Sequence, residues 1–252
     1  MRFDSCASEY DSHASPQRAF AERVAGFIGD LPGGTLGPSI LELGAGTGAL
    51  TRWLGENPGV RLCATDASPA MVAIGRTRVR KADWKVLDAL GNPLFFSDLQ
   101  VSSGLLQWAP NPVAALRHWT AALRPGGRMI HAFACEPCLQ EWRQVAPESP
   151  VTWRDESGWL VMFEEAGLLV NRKQVWSERI EFQSSLHLAR SLHGSGVTGR
   201  PKLSAGKMRE ALRNYDLQFR SQGGVYSTWA WMAVEATPVA KPTTPDVVAY
   251  KD

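Results

Sequence analysis

The feature that most constrains this chain is a glycine-rich turn set between a buried strand and a helix. Ser39-Ile40-Leu41-Glu42-Leu43 is a short apolar run of the kind that fills the middle of a sheet, and Gly44-Ala45-Gly46-Thr47-Gly48 follows at once. Leu50, Trp53 and Leu54 then carry a helical pattern. Glycines in such a turn let the backbone reverse and approach a ligand without a Cβ in the way. A second apolar run, Val60 to Asp66, ends on an acid placed where a carboxylate can hold the two hydroxyls of a ribose. Strand, turn, helix and strand in this order open a right-handed crossover, and that commits the chain to a parallel sheet covered by helices.

The same alternation continues to about residue 134. Upstream, Ser15-Pro16 predicts a helix start with Phe20, Val24, Phe27 and Ile28 on one face, ended by Pro32-Gly33-Gly34. Ser68-Pro69 predicts another start, with Met71 and Ile74 in the helix. Strands are expected over about 84–87 and 99–103, followed by a helix from Asn111-Pro112 to Leu123. Pro125-Gly126-Gly127 is expected to stop that helix before a fifth strand, Arg128 to Ala134. The last third changes character. It predicts a helix from Glu156 to Ala166, a long strand within Leu168 to Phe182, and two helical stretches, about 185–192 and 204–220. A final strand, Val225 to Ala236, closes the pattern. Prolines at 238, 242 and 245 without periodicity predict a flexible tail over 238–252.

Bulk properties exclude more than they assign. The 252 residues are 44% hydrophobic and 21% charged, with a net charge of +2, so no strong field favours nucleic acid or a membrane surface. Met1 to His13 carries Arg2, Asp4, Glu9 and Asp11 with no apolar core, and no run approaches a membrane span. A cytoplasmic enzyme is the expectation. Cysteines stand at 6, 63, 135 and 138, and Cys135-Glu136-Pro137-Cys138 lacks the second ligand pair that a structural zinc wants, so no metal site is expected. The basic run Arg76 to Lys81 reads as a solvated face. A second set, Arg200, Lys202, Lys207, Arg209 and Arg213, brackets a predicted cap helix.

The glycine turn alone also satisfies a dinucleotide pattern through Gly44, Gly46 and Ala49. Three additions shift its meaning. Glu42 precedes the first glycine by two, where an acid can face an ammonium. Asp88-Ala89 follows strand three, where a carboxylate and a backbone N–H can read an adenine edge. Leu123 to Gly127 breaks the chain before strand five. In this order the motifs resemble those of class I S-adenosylmethionine-dependent methyltransferases. That resemblance implies a doubly wound, mostly parallel seven-stranded Rossmann-like α/β sheet, ordered 3-2-1-4-5-7-6, with a helical cap inserted before the last strand. It implies S-adenosyl-L-methionine as cofactor, held by Glu42, Gly44, Ala45, Gly46, Gly48, Asp66, Ala67, Met71, Asp88, Ala89 and Ser103. One domain, 1–237, is expected: an N-terminal lid and helix (1–30), the cofactor core (39–134) and the cap (183–221).

Both ends narrow the resemblance. Phe3…Ala7…Tyr10-Asp11-Ser12-His13-Ala14…Gln17 is similar to the N-terminal signature of the malonyl-[acyl-carrier protein] O-methyltransferases of biotin synthesis. Asp98 to Ser103 with Leu106-Gln107-Trp108, Leu139 to Trp142, Trp153-Arg154, Leu192 to Val197, and Thr228 with Met232 extend the likeness from Phe3 to Ala236. Ser103 stands for a common asparagine, His193 for a lysine, and the Cys135–Cys138 turn for a Thr/Gly/Ser-rich one. The resemblance implies methyl transfer to the free carboxylate of a malonyl thioester on acyl-carrier protein. Tyr10, His13, Gln107 and Arg154 are the candidate catalytic residues, with Arg154 as the carboxylate clamp and Tyr10 and His13 on a lid. Three alternatives remain at this stage: a methyltransferase of free carboxylates such as aconitate, one of a quinone precursor, and a non-catalytic cofactor-binding partner.

Overall fold

The computed structural model describes residues 3–4, 7–31, 36–146, 151–197 and 204–239. Strands β1 (Ser39–Leu43), β2 (Arg61–Asp66), β3 (Asp83–Val86), β4 (Ser97–Ser103) and β5 (Leu123–Ala134) run parallel in the order β3-β2-β1-β4-β5. The long β6 (Leu168–Phe182) and β8 (Gly224–Pro238) complete the sheet, with β8 antiparallel to both β5 and β6 and lying between them. This is the expected mixed α/β sheet, with the last strand inserted between the fifth and sixth. One small addition is β7 (Arg220–Ser221), a two-residue strand on β8 that is too short to leave a periodic signal.

Helices cover both faces of the sheet, which is why β1 is buried along its whole length. On one face α2 (Ser15–Gly29) lays Phe20, Val24 and Ile28 beside Leu50 and Leu54 of α3 (Ala49–Leu54). On the other, α5 (Pro112–Thr120) and α7 (Glu156–Glu165) bury Leu116, Trp119, Trp159 and Phe163. The helix after β2, α4 (Pro69–Arg78), starts as its sequence predicts: the Ser68 hydroxyl accepts from Met71 N. The connection after β5 carries α6 (Gln140–Val145). Between β6 and β8 stand the two predicted cap helices, α8 (Ser185–Gly194) and α9 (Ala205–Gln218). At the outer edge β6 presents Arg172, Lys173, Glu178, Arg179 and Glu181, charges that discourage pairing with another chain.

Three local expectations need correction. Ser15 is the first helical residue of α2 rather than its cap; Ala14 takes that place and no side chain caps the helix. The Pro125-Gly126-Gly127 break lies inside β5, where the pairing slips between Ser97↔Leu123 and Leu99↔Arg128, so the strand absorbs the break as a bulge. The tail begins later than Pro238: that residue ends β8, and Val239 N donates to Gly167 O at 3.0 Å. Residues 240–252 lie outside the described residues.

Candidate active site

The strand order reverses between β1 and β4, and an open α/β sheet leaves a crevice beyond the carboxyl ends of its strands at that point. A cavity of about 300 Å³ is found there. Its first wall is the glycine turn. Gly48 caps α3 with φ +95°, and a Cβ there would press on Trp84 and Val79 at 3.3 Å, so only glycine makes this turn without strain. Backbone bonds fix the rest: Ala45 N donates to Thr65 O at 2.8 Å, Gly46 N to Asp66 Oδ2 at 2.9 Å, and Ser68 N to Asp66 Oδ1 at 2.8 Å.

The cavity gathers most of the predicted cofactor set: Glu42, Gly44, Ala45, Gly46, Asp66, Ala67, Met71, Asp88, Ala89 and Ser103 all line it. Gly48 does not line it and acts through the turn. Glu42 is buried, and its Oε2 has no hydrogen-bond partner. Desolvation pushes this carboxyl up to about 7, with the Thr51 hydroxyl holding it down and the Asp66 charge adding to the rise. Burial also raises Asp66, against the two backbone N–H groups that favour its charge. A buried acid that lines a cavity with one carboxylate oxygen unpartnered among the described residues suits a cationic ligand. Beyond β3, Asp88 Oδ1 accepts from Leu90 N at 3.0 Å, and Trp119 Nε1 holds the Ala89 carbonyl at 2.8 Å, so this loop is preformed.

Of the four candidate catalytic residues, the structure brings two to the cavity. Tyr10, in the short helix α1 (Tyr10–His13), lines it, and desolvation with the Asp66 and Asp11 charges raises its phenol far above the ordinary value. The proton therefore stays on. Gln107, in the 3₁₀ turn after β4, lines it and is buried, with Oε1 unpartnered. His13 does not line it; its ring fills the space beside Gly194, where a Cβ would come 2.2 Å from His13 Cδ2. Arg154 does not line it either. Its guanidinium lies 5.1 Å over the Trp159 ring, a cation–π contact that turns it toward α7, and its Nη1 meets Thr152 O at 3.4 Å. The side chain expected to clamp the carboxylate thus lies against Trp159 and is not among the residues that line the cavity.

The second wall comes from residues that periodicity could not assemble. Phe3, Asp11, Gln17, Arg18 and Phe20 from the N-terminal segment, Ser195 and Val197 after α8, and Trp231 of β8 all face the same space. Phe20 stacks on Trp231 at 4.1 Å between centroids, and Phe3 meets Trp108 edge-on at 5.7 Å. Polar latches hold this segment down. Asp11 accepts from Thr47 Oγ1 at 2.7 Å and pairs with Arg78, while Asp4 accepts from the Ser68 hydroxyl and from Ala70 N at 3.4 Å. Asp4 has only a polar tip in a segment with no apolar pattern as its signal, whereas Asp11 stands in the N-terminal signature. Cys135 and Cys138 are buried free thiols, pushed up to about 11 and about 12 by burial, so neither is a thiolate near neutrality.

A mixed sheet of this order, with an acid-lined cavity at the switch point, defines a class I S-adenosylmethionine-dependent methyltransferase. Residues 41–129 match the family model described as a methyltransferase domain. Solved structures with the same fold include a TehB-like methyltransferase from Corynebacterium glutamicum, at TM-score 0.52 and 17% identity over 92% of this chain and 98% of that one. A geranyl diphosphate methyltransferase aligns at TM-score 0.56 and 14% identity over 88% and 85%.

The malonyl-[acyl-carrier protein] O-methyltransferase of Serratia marcescens is 30% identical over 78% of this chain and 76% of its own length. The Paenibacillus sp. protein of the same name is 26% identical over 92% and 95%. A bifunctional biotin biosynthesis protein of Bordetella avium is 32% identical over 86% of this chain, which spans only 48% of that longer protein. The chain belongs to the malonyl-[acyl-carrier protein] O-methyltransferase family. Its cofactor is S-adenosylmethionine, and the orphaned Glu42 carboxyl with Asp66 and Asp88 fits that molecule's ammonium, ribose and adenine.

Proposed function

We propose that this enzyme methylates the free carboxylate of a malonyl thioester, carried on acyl-carrier protein, in the synthesis of the biotin precursor. The relatives at 24–32% identity that bear malonyl-carrier or biotin-synthesis names support the pathway. The observation that carries the acceptor class is the set of groups in the second wall. Gln17, Gln107 and a Tyr10 phenol that keeps its proton bring hydrogen-bond donors to the cavity, and the carboxylate on that wall, Asp11, is tied to Thr47 and Arg78. Donors suit a nucleophile that is already ionised at neutral pH, and a carboxylate is one; a phenol or quinol would first have to lose a proton to a base.

The cofactor supplies a methyl group already activated by a sulfonium. With the cofactor bound, a carboxylate oxygen would take the methyl as the carbon–sulfur pair returned to sulfur, giving a neutral methyl ester and a thioether, so that no residue of the chain would have to move a proton. What the chain contributes is alignment and exclusion of water, effects worth roughly 7–11 kcal/mol when reacting atoms are well placed. The N-terminal segment is proposed as the lid: its Asp4 and Asp11 latches reach Ser68 and Thr47 of the cofactor wall. The carrier is proposed to meet the cap, where Lys207, Arg209 and Arg213 lie on α9; Arg200 and Lys202 lie outside the described residues. The cytoplasm is the proposed compartment, and among the described residues no helix is long and apolar enough to cross a membrane.

Methyl transfer measured across malonyl-carrier protein, malonyl-CoA, aconitate and a quinol precursor tests the proposal. Malonyl-carrier protein is expected to be the best substrate. Faster transfer to aconitate or to the quinol would replace it.

A further inference from the structure

Gln17 is out of place by every local rule. It lies on α2 at helical spacing from Phe20, Ala21 and Val24, the stripe that this helix buries in the core. A polar side chain on such a stripe normally finds a partner, because a desolvated amide that makes no hydrogen bond is costly. Both of its amide atoms, Oε1 and Nε2, are buried and have no partner among the described residues, and the residue lines the cavity. Gln107, from the opposite side of the fold, presents a second buried amide with Oε1 unpartnered. Glu42, Asp66 and Asp88 are the acids that suit the cofactor, which leaves the Gln17 amide, with its unpartnered Nε2 donor, for the second substrate. Among the described residues that line the cavity, Arg18 is the single Lys or Arg, and it is exposed, with its Nη1 donating to the Asp11 carbonyl at 2.5 Å.

We propose that Gln17, through its Nε2, binds and orients the acceptor carboxylate in the place assigned from the sequence to Arg154, while Gln107, whose unpartnered atom is an acceptor, lines the same space without bonding to that group. This takes the carboxylate acceptor above as given. An amide suits the task physically. Its Nε2 fixes one carboxylate oxygen by a hydrogen bond while leaving the charge that makes the other oxygen nucleophilic. A buried guanidinium would neutralise much of that charge and hold the acid more tightly than the reaction needs. After transfer the ester oxygen is neutral and accepts a weaker bond, which favours release of the product. Arg18, at the surface, draws the anion toward the mouth without sitting on the reacting atoms.

The test uses the full chain with malonyl-CoA and malonyl-carrier protein. Gln17→Met keeps volume and removes the amide, and is expected to lower kcat/KM about ten- to a hundredfold. S-adenosylmethionine affinity by calorimetry should stay within about twofold, since the cofactor wall is untouched. Malonyl-CoA binding to the enzyme loaded with S-adenosylhomocysteine should weaken in step with the loss. Gln17→Glu sets an anion against the substrate; it should lose more, and recover as pH falls and the new carboxyl takes a proton. Near-parental kcat/KM in Gln17→Met, or cofactor affinity falling in parallel, overturns the assignment while leaving a malonyl acceptor intact. A parent enzyme that methylates only a phenol or quinol overturns the acceptor class, and this assignment with it.

Discussion

The two walls of the cavity are built by different means. From Glu42 to Ala89, every group that positions the cofactor lies within a few residues of a strand end, and the backbone does the holding: Ala45, Gly46 and Ser68 each donate an N–H to Thr65 or Asp66. The facing wall is assembled from the two ends of the chain. Ser191 Oγ donates to His13 O across 178 residues, and Arg23 pairs with Glu178 at 2.7 Å across 155. Gly194 and Gly196 leave no room for a side chain because His13 and Phe3 occupy it, at 2.2 Å and 2.5 Å from an added Cβ. A wall of local backbone bonds is stiff and serves one ligand. A wall of long-range side-chain contacts can be rebuilt one residue at a time, and the choice of acceptor belongs there.

The comparison breaks most sharply at Asp66. Replacing it with Ala removes two charge-assisted hydrogen bonds to ribose, at about 1.5–3 kcal/mol each, and frees Gly46 N and Ser68 N as well. S-adenosylmethionine affinity is expected to fall by more than about a hundredfold. A calorimetric titration of the folded variant reads it, and a loss under about tenfold would show that the cofactor wall is less rigid than its bonds suggest.

On the facing wall, Gly194→Ala drives a methyl into His13 and is expected to lift the N-terminal segment, lowering kcat about tenfold with little change in cofactor affinity. His13→Ala in the same chain should restore part of the loss. If the two losses simply add in the double variant, the interlock between the segment and the cap does not control turnover.

Glu42 sharpens the comparison through pH. Its carboxyl rises from 4.5 to about 7 in the folded protein. Between those values the folded, cofactor-free enzyme keeps a proton that the unfolded chain has released. Glu42 therefore favours folding most below pH 4.5, and that contribution is lost as pH rises through about 7. A cation beside it reverses the preference and expels the proton. At pH 6, S-adenosylmethionine binding should release about one proton, and affinity should climb with pH up to about 7. Calorimetry in buffers of different ionisation enthalpy measures the release, and Glu42→Gln should abolish it. The same release in Glu42→Gln would place the titrating group elsewhere. The smallest effect is expected at Arg154: held over Trp159, its replacement by Ala should leave kcat/KM within about twofold of the parent. A hundredfold loss there would bring the clamp back to Arg154.

The parallel core was legible because its signals are short-range. A strand of five residues with Ile40, Leu41 and Leu43 in it, a turn that demands glycine at Gly48, and a Ser68 cap with proline behind it each act within one turn of chain. The long β6 fills the whole segment, Leu168 to Phe182, within which a strand was expected. At Arg154, position along the chain said carboxyl end of the sheet, and a neighbouring indole decides where the guanidinium lies. The latches made by Asp4 and Asp11 were not legible, because their partners Ser68 and Thr47 lie in segments with which they share no periodicity; Asp11 itself stands in the N-terminal signature.

By itself, then, the chain's order of residues determined the sheet, the glycine turn and the acids that face the cofactor, since strand ends and turns are set by local backbone sterics and by the period of burial. Tertiary structure decided what joins Tyr10 and Gln107, already singled out from the sequence, around the cavity. Gln17 carries the same amide whether it faces water or a cavity, and only the packing of α2 beneath Trp231 strips it of solvent and leaves its hydrogen bonds to be made by something else.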